Sequence, residues 1–528
     1  MSLESTSNPN ATLDNPFGYK AELKKKFGFL SMLGVGFLIT GTWPAAASAL
    51  SIALTSGGPV AILWGLLAAG LGQMAVALSL AEICSVYPTN GGQYEWVAVL
   101  AAPGYQRFLS YVCGWVLTAS WWALAATGPS LAANLIIALI ELINESYVYK
   151  KWHNFLIYSA VEVVAGLTNA VGTAIIPRMS EGAFYLSLTG FVAISITLLA
   201  CTANKYQSGS FVFGGFINST GWNDGAAWLL GMLQGAFTLV AYDATVHLIE
   251  EMPNPRRDAP WTMVLAVATG TTTGFIFLIC VLFSVQDANE LTTAAIGPII
   301  AIFKQATSSN AGTAVMAAVI ITILACSSTE VVTSSSRLTA AFARQGGLPF
   351  SDFFARPNKK LDLPLNAMFL TNAAVIILGL IYLGAATAFN AIVNACLFGL
   401  SLSYLLPITV LVLRGRSVLP RGDFALGKWG YPLNIVSIIF LMLVLVLTLF
   451  PSAAHPTADT MNYAIVAIGG VVILATVNWF VHGRHHYRTP TLHIVDLDVA
   501  ARRQPEDQEV EKAPRSIADP VDNPSAVV

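Results

Sequence analysis

The chain has 528 residues, of which 55% are hydrophobic and only 11% charged. Soluble domains carry about 25% charged residues, so this chain cannot hide its apolar surface from water, and its solvent is lipid. Soluble enzymes, nucleic-acid binders and disordered scaffolds are excluded on that ground, and the net charge of −2 conceals an asymmetry along the chain.

The first 26 residues are polar and end in Lys24-Lys25-Lys26, and the apolar run that follows is longer than a signal h-region, so no signal peptide is expected. A membrane-crossing helix needs roughly 20 apolar residues. Twelve such spans follow, at about 28–56, 59–83, 107–141, 153–176, 182–203, 226–249, 260–285, 312–336, 364–383, 387–413, 433–450 and 461–481. Span 3 is long enough to require a steep tilt. Each break holds a polar or Gly/Pro cluster, such as Thr55-Ser56-Gly57-Gly58-Pro59. Residues 1–27 and 482–528 are expected as cytoplasmic tails. Beyond about 490 the chain is rich in Pro, Asp, Glu, Ser and Arg and cannot bury enough apolar area to order itself.

Lys and Arg set the orientation. With the N-terminus inside, 23 of the 27 basic residues fall on the cytoplasmic side and 4 (Lys150, Lys151, Lys205, Lys304) on the other. Two glycosylation sequons, at Asn144 and Asn218, fall on the outer side. His482, His485 and His486 lie in a basic run suited to anionic lipid, with metal binding the lesser alternative. The six cysteines lie in or beside apolar segments without a C-x-x-C pair, which argues against a disulfide framework or a zinc site. No metal and no cofactor are expected.

Broken helices point to a transport site, because unpaired backbone at membrane depth is tolerated only where it lines a cavity. Span 1 carries Gly41-Thr42-Trp43-Pro44, and span 6 carries Gly235-Ala236-Phe237-Thr238 ahead of Tyr242-Asp243. Simple packing kinks are the alternative at each place. The two spans open five-span halves of similar length, about 28–203 and 226–413, and would run in opposite directions.

Three stretches complete the pattern. They are Ala81-Glu82-Ile83-Cys84-Ser85-Val86-Tyr87-Pro88-Thr89-Asn90-Gly91-Gly92-Gln93-Tyr94 after span 2, Tyr242-Asp243-Ala244-Thr245-Val246-His247 with Glu250 to Pro260 through and after span 6, and Ser336-Arg337 to Leu348-Pro349 after span 8. With these motifs the chain resembles the amino acid–polyamine–organocation transporter superfamily, and within it the fungal GABA and choline permeases. The resemblance implies an all-α membrane protein with a LeuT-like 5+5 inverted repeat over 28–413 and two added helices over 433–481. It also implies secondary active, proton-coupled transport of a small amine-bearing solute. One departure is visible: the family usually has Asp where Gln345 stands, a position expected at a solvated helix end.

Asp243, His247, Glu250 and Glu251 share one face of a helix by their spacing. Asp243 attracts a cationic ammonium or belongs to the inner gate, or else caps the second half of span 6. Glu250 and Glu251 suit basic partners at the helix mouth, with a coupling site the lesser alternative. His247 suits either proton movement or packing. Ser327, Ser328 and Thr329 on span 8 are hydroxyls that would face the first break in this fold, and Glu330 either carries a proton or pairs with Arg337. The aromatics Trp43, Trp121, Trp122, Phe237 and Tyr242 offer ring faces to a quaternary ammonium, and the backbone at Gly41-Thr42-Trp43 offers N–H groups to a carboxylate. The substrate is thus an amine or a zwitterion such as choline, GABA or an amino acid. A polyamine or alkaloid cargo, or a non-transporting sensor of the same fold, is the alternative.

Overall fold

A computed structural model describes residues 24–489, apart from 145, 172–174, 288–290, 292–295, 359, 362, 385 and 458–460. Most of both expected tails therefore lies outside the described residues. Twelve helices are long and apolar enough to cross a membrane: Phe29–Ser48, Gly58–Val86, Gln106–Ile143, Lys151–Val171, Ile176–Cys201, Asp224–Glu251, Pro255–Phe283, Asn310–Arg344, Leu365–Leu383, Asn394–Arg414, Gly427–Leu447 and Ala464–His486. They are spans 1 to 12 below. Among the described residues β structure is limited to two isolated bridges, Ser56 to Asn218 and Asn358 to Leu363.

The apolar windows located the spans but misplaced some ends. Span 8 runs on to Arg344 and span 6 to Glu251, because charged residues there find partners and let the helix continue past the apolar layer. Three connections expected only as breaks contain helices: Gln93–Leu100, Gly209–Gly214 and Pro298–Thr307. Span 3 has 38 residues, about 57 Å at 1.5 Å per residue.

Burial sorts the helices. Spans 1, 2 and 6 are 78%, 67% and 67% buried inside the protein, whereas spans 4, 5, 9 and 12 are 33%, 33%, 28% and 17% buried. Apolar side chains such as Val164, Leu167, Ile196 and Val466 cover the outer helices. With no water in hydrocarbon, an outward apolar surface is what lipid requires.

Span 1 is interrupted. Its first helix, Phe29–Thr40, ends at Gly41, whose φ of 49° is left-handed. That conformation is cheap for glycine alone. The chain restarts at Thr42. Pro44 is the third residue of the new helix, where its missing N–H has no intrahelical partner to lose. The interruption therefore belongs to Gly41, and Pro44 begins a helix instead of breaking one. A second irregularity at Ala49 is bridged by Gln234 of span 6, which donates to Ala46 O at 2.9 Å and accepts from Ala53 N at 3.2 Å.

Span 6 is interrupted more widely. The helix Asp224–Thr238 starts at Asn223, whose side chain accepts from Ala226 N at 2.9 Å. It stops at Thr238, and Leu239–Ala241 are not helical. Ala241 has φ 69°, unusual for a residue with a Cβ. Residues Tyr242–Glu251 then form a 3-10 helix, so the single α-helical face expected for Asp243 to Glu251 is replaced by a tighter winding.

Candidate functional site

The two interruptions touch. Thr42 Oγ1 donates to Thr238 O at 3.0 Å, so the first residue after one break satisfies a carbonyl freed by the other. Span 7 allows the approach: a Cβ on Gly270 would lie 2.4 Å from Thr42 Oγ1.

Below this junction lies Asp243, fully buried. Its Oδ1 accepts from Tyr404 Oη at 2.5 Å. Its Oδ2 accepts from Gln93 Nε2 at 2.6 Å and lies 3.3 Å from His247 Nε2. Tyr404 Oη also accepts from Ala241 N, at 3.1 Å, and so serves the strained residue of the break. Three side chains thus engage the carboxylate. The capping alternative is not what is seen, because no backbone N–H of the 3-10 helix bonds this side chain among the described residues. His247 Nδ1 lies 2.8 Å from Asn90 O, and Trp121 stands edge-on to its ring at 5.1 Å. Tyr242 packs beside Tyr404 with ring centroids 5.4 Å apart and donates to Gln73 Oε1 at 3.3 Å.

A second set lies at the end of the protein where the arginine-bearing loops gather. Arg337 bonds Glu251 at 2.9 Å in full burial. Arg344 bonds Glu250 at 2.7 Å in partial exposure. Both pairs join span 6 to span 8. A small cleft beside them is lined by Asn90, Glu250, Arg337, Ala340 and Arg344 among others. Glu82 accepts both contacts of Arg416 Nη2, each at 2.7 Å, and takes Leu426 N at 2.9 Å, which ties the segment before span 11 to span 2. The three stretches singled out in the sequence therefore converge: Asn90 meets His247 and Glu250 N, and Arg337 and Arg344 meet Glu251 and Glu250.

The remaining expected residues divide. Trp43 is fully buried, donates to Ser187 Oγ at 2.9 Å and packs on Phe277. It lines the span 1 break but is already bonded. Trp122 donates to Thr339 Oγ1 at 3.1 Å and belongs to the packing of span 3 on span 8. Phe237 is half-buried in the last turn before the span 6 break. Ser328 and Thr329 hydroxyls bond carbonyls of their own helix, at 2.8 and 3.3 Å, and Ser327 is buried nearby. Glu330 does not pair with Arg337, which Glu251 occupies. It accepts instead from Ser180 of span 5 at 2.6 Å. Gln345 is not at a solvated helix end: it is buried and donates to Glu95. Asn144 is exposed. Asn218 is half-buried, with its amide nitrogen held by Trp222 O and Asp224 at 2.8 and 3.0 Å. His482 and His486 stack at 3.9 Å within the helical end of span 12.

Sequence reasoning missed Gln73, Gln93, Gln234 and Tyr404. Gln73 and Gln234 are amides inside apolar runs, a signal available from the sequence. Tyr404 carried no such mark, since its role depends on spans 10 and 6 being adjacent, and Gln93, though inside the first motif stretch, gains its role only because the 93–100 helix lies against span 6.

The amino acid permease model matches residues 29–473, the whole of the bundle that carries these interruptions. The chain belongs to the amino acid permease family. The permease is 32% identical to the choline transporter of Saccharomyces cerevisiae over 476 residues, 89% of this chain and 83% of that one. It is 34% identical to a putative amino acid/polyamine transporter of Macrophomina phaseolina, over 83% of this chain and 97% of that one. Amino-acid permease BAT1 of Arabidopsis thaliana is 29% identical over 90% of this chain and 95% of its own. The permease is accordingly a multi-pass membrane transporter and not an enzyme.

Proposed function

We propose that the permease carries a small amine-bearing solute, choline, GABA or an amino acid, by alternating access around the junction of spans 1 and 6, driven by protons. The observation that carries this reading is the Thr42–Thr238 contact beside the buried Asp243. Main-chain polarity freed by two helix breaks, and a carboxylate at that depth, are costly unless protein groups or a guest pair them. An ammonium would meet Asp243 beside the Tyr242 and Tyr404 rings, where cation–π contact adds roughly 0.5–2 kcal/mol. A carboxylate on a zwitterion would meet backbone N–H groups after Gly41. The names of the relatives span choline, amino acids and polyamines, which supports an amine and leaves the second group of the substrate to be assayed.

The five-span halves at 28–203 and 226–413 are the two inverted repeats around that junction. The Arg337–Glu251 and Arg344–Glu250 pairs act as the inner closure. The tails face the cytoplasm, and the plasma membrane is the expected site, with Asn144 the better placed of the two sequons. Uptake of labelled choline, GABA, amino acids and polyamines into vesicles, with and without a proton gradient, tests the reading. Accumulation of one amine that collapses with the gradient supports it. Binding without uptake would instead make the protein a sensor, and collapse only on sodium removal would overturn proton coupling.

A further inference from the structure

The helix Gln93–Leu100 joins the two sets of residues. Gln93 reaches Asp243, and two positions on, Glu95 turns to the end of span 8, where Gln345 Nε2 donates to Glu95 Oε1. Both side chains are buried. Their other oxygens, Glu95 Oε2 and Gln345 Oε1, are each buried without a hydrogen-bond partner among the described residues. Two orphaned acceptors on a pair already sharing one bond cost free energy as long as both remain acceptors. A proton on Glu95 Oε2 turns one of these orphaned acceptors into a donor, with the other orphan on the same pair as its candidate acceptor.

We propose that Glu95 and Gln345 form a proton-binding latch: with the inner side closed, Glu95 is a carboxylic acid that donates Oε2–H to Gln345 Oε1 while accepting Gln345 Nε2–H at Oε1. Only an O–H bond forms or breaks, and the proton comes from and returns to solution. On release, the ionised carboxylate keeps one amide bond in a buried place, and separation of the 93–100 helix from span 8 lets water solvate it. The same helix carries Gln93, so the separation pulls on Asp243.

The charged surroundings fit this assignment. Burial pushes the Glu95 carboxyl above its ordinary range, as does Glu250, while Thr89, Arg344 and Gln345 draw it down. Arg344 is engaged by Glu250 at 2.7 Å. Tyr94 Oη donates to Glu95 Oε1 at 3.4 Å. On span 3, Arg107 is held by the carbonyls of Arg484 and Tyr487, and the Tyr111 hydroxyl takes Asn478. On span 10, Arg414 bonds the carbonyls of Leu100 and Ala101. His247, near Gly92, is taken up by Asn90 and Asp243. An acid whose range is raised on closure binds more protons closed than open. Closure is therefore favoured at low pH and lost as pH rises through the raised range. An Asp in place of Gln345 would set two carboxyls together, so the amide suits the acid opposite.

The latch rests on the transport reading only for its role in flux, and its test needs no solute. In a Cys201→Ser background, Ala340→Cys places a thiol on the cleft between spans 6 and 8. Its rate of modification by a membrane-impermeant maleimide is measured in inside-out vesicles across pH. The rate is divided by that of the same thiol in Glu95→Gln, which cancels the thiol's own titration. The ratio is expected near one at acid pH and to rise about tenfold at alkaline pH, the scale of one lost hydrogen bond. Gln345→Leu, which cannot latch, is expected to label fast without the added pH dependence, and it gives the reading if Glu95→Gln fails to fold. A ratio flat across pH, or Gln345→Leu matching the parent at every pH, overturns the latch. Uptake in the same vesicles separates the two claims: titrating labelling without uptake sinks the transport reading alone, and uptake with flat labelling sinks the latch alone.

Discussion

Asp243→Asn exchanges one oxygen for an amide nitrogen at a highly connected carboxylate of the interior. The native carboxylate accepts from Tyr404 at 2.5 Å and Gln93 at 2.6 Å, with His247 at 3.3 Å. Asparagine keeps one acceptor and presents an amide nitrogen on the other side. Turned one way, that nitrogen meets the Tyr404 hydroxyl; turned the other, it meets Gln93 and His247. Either way at least one charge-assisted bond is lost, about 1.5–3 kcal/mol. Even the low end, about 1.5 kcal/mol, slows a step that needs this geometry by about 13-fold, and loss of attraction for an ammonium multiplies it. The assay is the initial rate of amine uptake per unit of protein at the cell surface. Normal surface protein with uptake down about 13-fold or more is the expected result. Kinetics within about threefold of the parent would refute the reasoning, because the carboxylate would then be structural only.

Thr42→Val keeps shape but removes the hydroxyl that joins the two breaks. It is expected to cost about 1–3 kcal/mol through the orphaned Thr238 carbonyl, seen as reduced uptake that Thr42→Ser restores. Arg337→Ala leaves Glu251 buried and unpaired and is expected to lower stability by about 3–5 kcal/mol; Arg344→Ala breaks a partly exposed pair and is expected to cost about 1 kcal/mol or less. Melting of both in detergent checks the order, and equal losses would refute it. Asn144→Gln is expected to remove any glycan-dependent mobility shift on gels while Asn218→Gln leaves it, given the different exposure of the two side chains.

Much of this was legible in the chain because lipid makes strong demands on it. Apolar length gave the twelve spans, and the break in span 1 followed from Gly41, which the left-handed turn needs. Span 6 was harder: the strained residue is Ala241, which no propensity marks, and its conformation is held by Tyr404 from another helix. Charged positions were placed well and partnered poorly. Glu330 and Arg337 are two turns apart on one helix and looked like a pair, but Ser180 and Glu251 arrive from spans 5 and 6. Gln345 looked solvated because it follows an arginine near a Gly-Gly pair. Only the fold brings the 93–100 helix and the chain end over it.

That chain end also bears on how the protein is made. Tyr487 is fully buried, its hydroxyl 2.6 Å from Ser110 Oγ, and Arg488 N bonds Gln345 O at 2.8 Å. Residues from the opening helices of the bundle thus wait for a tyrosine translated after all twelve spans. Docking of Tyr487 is among the last events of biogenesis, and a premature stop ahead of it would leave an inserted bundle with an uncovered seat that quality control can recognise.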